Sequence, residues 1–245
     1  MKIGFTSTTF KGLAPEKIIA LAAQAKADCV EWSDLHVPDP NKAKEVKALC
    51  DAIGIQCCSL GSYYHAGDAD EARWERLCGI TAAMGAGFIR VWLGRRGSEQ
   101  TSEKDYAALL SDAKHMAQAA RKLGIFIAAE AHPNTYNDTC ETSLRFLKEL
   151  NDPNFGTYYQ SLYKDMPRDL DRLAKTWPWL RAVHVSFSEV TRNRRFLPKE
   201  DDCVERIVLA LREREFQGPV LLEFCKGGNP QAFLRDMERL RAMNN

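Results

Sequence analysis

The chain has 245 residues, of which 45% are apolar and 27% charged, and its formal net charge is +1. This suits one large folded domain and excludes a disordered or fibrous chain. A charge so near zero gives no field to gather a polyanion, so nucleic acid is not an expected partner, and no apolar run approaches the roughly 20 residues needed to cross a bilayer.

Eight cysteines, Cys29, Cys50, Cys57, Cys58, Cys78, Cys140, Cys203 and Cys225, include no CxxC pair and mostly fall inside predicted strands and helices. They read as reduced core residues of a cytoplasmic protein rather than disulfides or zinc ligands. Met1-Lys-Ile-Gly-Phe runs into polar Thr6-Ser-Thr-Thr, so no signal peptide is expected.

The first strand lies within residues 1–10, and Pro15 opens a helix running to Lys26. Cys29–Trp32 is a second strand, and a loop through His36 leads to helix 41–53, with Gly54 as its stop. The third strand, Ile55–Leu60, continues into Gly61-Ser-Tyr63-Tyr64-His65, and helix 70–84 ends at Gly85. The fourth strand is Phe88–Leu93, followed by a long helix from about 102 to 123. The fifth, Phe126-Ile-Ala-Ala-Glu130-Ala-His132, has the apolar composition of a buried strand and ends in an ionisable pair. A period of two places Glu130 and His132 on one face. Helix 139–150, strand 155–160, helix 167–176 and strand 180–187 follow. A basic loop, 189–198, precedes helix 200–215, strand 219–224 and helix 230–243.

Eight strand–helix units imply a parallel sheet with right-handed crossovers, and close naturally into a (β/α)8 TIM barrel spanning residues 1–245 as a single domain. The competing doubly wound sheet would carry a glycine-rich first turn, which Thr6-Ser-Thr-Thr-Phe-Lys-Gly is not.

Barrel active sites form at the C-terminal strand ends. The inward-capable polar residues there are Glu31, His65, Arg90, Glu130 with His132, Gln160, His184 and Glu223. Four of the five histidines lie at or past strand ends, and His115 alone is mid-helix. Glu130, Gln160, His184 and Glu223, from strands five to eight, offer carboxylate, amide and imidazole ligands suited to Mn²⁺, Mg²⁺ or Co²⁺. A hydrogen-bonded polar layer without metal is the alternative. Arg192 and Arg194, facing Lys226-Gly-Gly-Asn229 after strand eight, suit an anion such as phosphate, though they read equally as surface charge. Trp32, Tyr63, Tyr64, Trp92, Tyr158 and Tyr159 offer aromatic platforms for a sugar, or barrel-rim core.

Glu31-Trp32 with His36-Val-Pro, Gly61-Ser-Tyr-Tyr, Glu130-Ala-His132-Pro, Gly156-Thr-Tyr-Tyr-Gln160, Val183-His184-Val and Leu222-Glu223-Phe resemble, in that order, the xylose isomerase-like TIM-barrel superfamily, and most closely its sugar phosphate isomerase/epimerase branch. The resemblance implies a divalent metal on Glu130, Gln160, His184 and Glu223, with Gln160 standing where the family usually has Asp. Asp165, five residues on, is a possible substitute. It also implies a carbohydrate substrate and proton transfer next to a carbonyl through an enediolate. One of Glu130 and Glu223 would remove the proton and the other return it, while His65, Arg90, Trp92, His132, Arg192 and Arg194 hold the substrate. A metal-assisted isomerase or epimerase is therefore the first expectation. A dehydratase or lyase on a related ketone of the inosose type, and a non-catalytic sugar-binding barrel, are the alternatives. An abasic-site endonuclease is disfavoured by the few histidines and the low charge. The oligomeric state is left open, a homo-oligomer included.

Overall fold

A computed structural model describes residues 1–162, 165–190, 196–198 and 202–244. Eight parallel strands close into a barrel: β1 (Lys2–Thr6), β2 (Cys29–Ser33), β3 (Gln56–Ala66), β4 (Phe88–Leu93), β5 (Phe126–Glu130), β6 (Phe155–Tyr159), β7 (Leu180–Val185) and, as the eighth, β10 (Pro219–Leu222). Helices α1 (Pro15–Gln24), α2 (Pro40–Asp51), α3 (Glu71–Met84), α4 (Glu103–Arg121), α5 (Cys140–Leu150), α6 (Met166–Thr176), α7 (Cys203–Glu213) and α8 (Pro230–Asn244) connect them. The loop after β7 carries a short antiparallel pair, β8 (Ser188–Val190) and β9 (Phe196–Pro198), where a plain basic loop is expected from sequence.

Local chemistry explains the punctuation. Asp39 caps α2 by accepting from the Asn41 and Lys42 amides, and Pro40 fits its first turn. Asp165 caps α6 by accepting from the Arg168 amide, which gives it a role other than the substitute ligand considered above. Helix α1 stops at Gln24 rather than Lys26, because Lys26 turns left-handed at φ 51°. No disulfide joins the cysteines; seven are buried and Cys203 is half-buried. Among the described residues, no helix is long and apolar enough to cross a membrane.

The main core lies between strands and helices, where Ile3, Val30, Leu60, Ile89, Ile127, Val183 and Leu222 meet the apolar helix faces. A second cluster fills the barrel interior: Cys29, Cys58, Ala128, Tyr158, Ala182 and Leu221, with Phe88 against them. This inner floor positions the site. Inward side chains recur every second residue along a strand. Two residues beyond Cys29, Phe88, Ala128, Tyr158, Ala182 and Leu221 stand Glu31, Arg90, Glu130, Gln160, His184 and Glu223. Each of these six strands thus seals the barrel with an apolar or aromatic residue and presents a polar one just above it.

Candidate active site

Three carboxylates, one guanidinium and one imidazole share this polar layer. Glu31, Glu130 and His184 are 1–2% exposed and Arg90 3%. Burying so much charge is tolerable only if it is paired and hydrogen-bonded. Arg90 supplies the pairing: its Nη1 donates to Glu130 Oε2, and its Nε lies 3.4 Å from Glu31 Oε1. Gly61 makes room for this. A Cβ there would sit 2.6 Å from Glu31 Oε1 and 3.2 Å from Arg90 Nη2. Glu31 Oε2 accepts from the hydroxyls of Ser59, at 3.1 Å, and Tyr158. Ser59 faces inward beside Cys58 because β3 slips register against β2, Val30 pairing with Cys57 and Glu31 with Ser59.

Glu130 is fully engaged. Its Oε2 accepts from Arg90 and from the Trp92 indole N–H at 2.5 Å; its Oε1 accepts from His184 Nδ1 at 3.0 Å. With its amide nitrogen turned toward the acids, Gln160 donates to Glu130 Oε1 at 2.8 Å and to Glu223 Oε2 at 3.1 Å. Glu223 is otherwise freer. It is the least buried acid of the layer, its side chain 16% exposed, with Oε2 3.7 Å from His184 Nδ1.

The two acids therefore differ. Burial works against charge on Glu130, but Arg90 and His184 outweigh it and hold its carboxyl well below the usual carboxylate range. Burial pushes Glu223 up from its ordinary value, with Glu130 adding to the push against the pull of His184. Burial also opposes charge on His184, yet Glu223, Glu31 and Glu130 raise its pKa to about 10.

Glu130, His184 and Glu223 place their ligand atoms within 4.8 Å of one another, close enough that they could share one cation. The donor set fits such an ion. With His184 neutral, three carboxylates face one permanent cation, Arg90, and a divalent charge would balance the remainder. Gln160 reaches the same two acids and would bring an amide oxygen to the set once its amide is turned over.

The remaining expected site residues divide. His65, Trp92 and His132 meet at the mouth: Trp92 stacks at 5.0 Å from His65 and 5.1 Å from His132, with Tyr63 at 5.4 Å. His132 lies beyond the end of β5, so the two-residue alternation does not carry it down beside Glu130; it joins the site through Trp92. Arg90, expected to hold substrate, is instead occupied by Glu31 and Glu130. Arg192 and Arg194 lie outside the described residues. The N-terminus of α8, the other half of the expected anion site, is capped by Asn229 Oδ1, which accepts from the Gln231 and Ala232 amides. Trp32, Tyr64 and Tyr159 are buried core, and Tyr158 belongs to the floor. Ser59 and Tyr158, partners of Glu31, carry no local sequence signal that marks them as part of the site.

A sequence profile described as "Xylose isomerase-like TIM barrel" matches residues 19–243. The chain belongs to this family. Within the xylose isomerase-like barrels, it is 22% identical over 146 residues to a 3-dehydroshikimate dehydratase of Bacillus anthracis; the match takes in 59% of this chain and half the length of that relative. Among solved structures, this xylose isomerase-like barrel superposes on the probable 3-DHS dehydratase of petrobactin synthesis from Bacillus anthracis with a TM-score of 0.84 at 15% identity, covering 98% of this chain and 99% of that one. It superposes on the 3-keto-D-glucoside 4-epimerase of E. coli with a TM-score of 0.75 at 19% identity, covering 99% of each. For a D-allulose 3-epimerase of Methylomonas sp. the values are 0.69 and 19%, covering 91% of this chain and 83% of that one. At these identities the superpositions establish the fold.

Proposed function

We propose that this protein is a metal-assisted enzyme that removes a proton from the carbon next to a ketone in a polyhydroxylated substrate, with Glu223 as the base. The inequality of the two acids carries the reading. Glu130 is occupied by Arg90 and the Trp92 indole N–H, whereas Glu223 is the less buried of the two and partly open to the mouth. A divalent ion on Glu130, His184 and Glu223, with Gln160 as a weak fourth ligand, would polarise the substrate ketone.

A single mobile proton suits elimination. Glu223 takes the proton from the carbon α to the ketone; the C–H electron pair forms the new C=C bond as the β-hydroxyl leaves, and Glu223 returns its proton to that hydroxide, releasing water. This reading is supported by the partial match to a dehydratase. His132 favours a second reading, an epimerase or isomerase of a ketose or ketosugar. Its Nδ1 donates to the Pro133 carbonyl at 2.7 Å, which leaves the lone pair on Nε2 and offers a second proton carrier at the mouth.

The test is a panel containing 3-dehydroshikimate, 3-ketoglucosides and ketohexoses, incubated with Mn²⁺, Mg²⁺ or Co²⁺ in D₂O. Elimination is seen by absorbance, as an aromatic catechol from 3-dehydroshikimate or a new conjugated enone from a ketoglucoside; epimerisation or isomerisation yields recovered sugar with deuterium at the α carbon. Glu223→Gln should lower either rate by about 10²-fold or more. A fully active Glu223→Gln would remove the base assignment, and no turnover or exchange across the panel would leave a binding barrel.

A further inference from the structure

Of the seven buried side-chain polar atoms without a hydrogen bond among the described residues, three face one another: Glu31 Oε1, Arg90 Nε and His184 Nε2. Glu31 Oε1 lies 3.4 Å from Arg90 Nε and 3.5 Å from His184 Nε2, too close for a water to intervene. An orphaned buried polar atom costs about 1–3 kcal/mol, so three meeting at one point call for a reason. Glu31 is itself fixed from the other side. Its Oε2 is held by Ser59 and Tyr158, and Gly61 leaves the gap its Oε1 occupies. The carboxylate is thus a rigid post under the imidazole. Facing it with Nε2 leaves Nδ1 pointed at Glu130, 3.0 Å away, and Glu223, 3.7 Å away. An imidazole can be ligand or acceptor at one nitrogen only when its proton is on the other.

We infer that Glu31 is a positioning residue, which holds the His184 ring with Nε2 toward the barrel floor so that Nδ1 is presented to the cation site between Glu130 and Glu223. The inference rests on the reading of that site given above. Glu31 touches neither substrate nor metal; it acts through the orientation of His184, as carboxylates behind metal-binding histidines do. Its second contact, to Arg90, ties the same post to the guanidinium that occupies Glu130.

The test uses Mn²⁺ alone as the probe, on the whole chain, with two variants. Glu31→Leu removes the post, and Glu31→Gln keeps one oxygen for two donors. Mn²⁺ affinity, read by electron paramagnetic resonance, should fall by about 10–100-fold in the leucine variant and by less in the glutamine variant. Crystal structures should show the His184 ring turned away from Glu223 in Glu31→Leu and retained in Glu31→Gln, while urea unfolding reports stability separately. A Glu31→Leu protein that keeps the wild-type ring orientation and binds Mn²⁺ within twofold of wild type would overturn the inference. If Glu31→Leu does not fold, Glu31→Ala, which also removes both oxygens, is read in its place with the same outcomes. If wild type binds no Mn²⁺, the site reading fails, and the ring orientation in the variants alone decides whether Glu31 positions His184.

Discussion

Replacing Gln160 by Asp tests the site from both sides, because the amide now does for the acids what a metal would do. Its nitrogen donates to Glu130 Oε1 at 2.8 Å and Glu223 Oε2 at 3.1 Å, so it supplies two hydrogen bonds to carboxylates. Bonds to charged partners contribute about 1.5–3 kcal/mol each. Gln160→Asp loses both and adds a third carboxylate beside Glu130 and Glu223. Allowing the shorter side chain to turn toward water, a net loss of about 3 kcal/mol is expected in metal-free protein, or roughly 6–12 °C in Tm at about 2–4 °C per kcal/mol for a chain of this size. Mn²⁺ should narrow the difference. The variant offers an ionised fourth ligand, and at a hundredfold excess over Kd binding adds ~2.7 kcal/mol. Each tenfold gain in affinity over wild type adds ~1.4 kcal/mol more, or about 3–6 °C. Differential scanning fluorimetry with chelator and then with Mn²⁺ reads both effects. Gln160→Leu separates them, since it loses the hydrogen bonds without adding charge and should not gain from Mn²⁺. If Gln160→Asp in chelator melts with wild type, Gln160 does not brace the acids. If Mn²⁺, Mg²⁺ and Co²⁺ leave both Tm values unmoved, these residues are not a metal site.

Arg90→Met leaves Glu31 and Glu130 buried without their permanent counter-charge and should cost about 3–5 kcal/mol in urea unfolding; an unchanged midpoint would mean the two acids do not depend on it. Lys26→Gly relieves a left-handed, exposed lysine at the end of α1 and should add about 1 kcal/mol, with a loss of stability counting against strain there. His36 is buried against Ser7, and burial lowers its pKa, opposed by the Phe10 carbonyl. The unfolded chain therefore takes up the proton first, and His36 costs stability only as pH falls below about 6.5. His36→Asn should flatten that acid limb of a Tm–pH curve; an unaltered slope between His36→Asn and wild type would place the titration elsewhere.

Much of the site was legible because one rule, the two-residue alternation of a strand, holds from floor to polar layer in six strands. It carries Ala128 to Glu130, Ala182 to His184 and Leu221 to Glu223 without reference to any partner. It fails where strands end or slip. His132 stands past β5, and the slip at Cys58 turns Ser59 inward against alternation. It is also silent on who pairs with whom. Nothing near Arg90 in the chain shows that Glu31 and Glu130 will claim its guanidinium, and Tyr158 meets a carboxylate 127 residues away.

The unequal acidity of the two acids follows from strand order. The ring runs β4, β5, β6, β7, β10, β1. Glu130 on β5 has β4, and hence Arg90, at its side. Glu223, just past β10, has β7 on one side and on the other β1, which ends in the neutral Thr6. His184, on β7, stands between the two and can offer a single Nδ1 to both. The permanent cation beside Glu130 holds it ionised, while burial and the neighbouring Glu130 raise Glu223 against the pull of the shared imidazole. Moving the guanidinium would move the base. A barrel carrying Arg90→Met and Thr6→Arg, if it folds, should lower the proton affinity of Glu223 and weaken catalysis at that position.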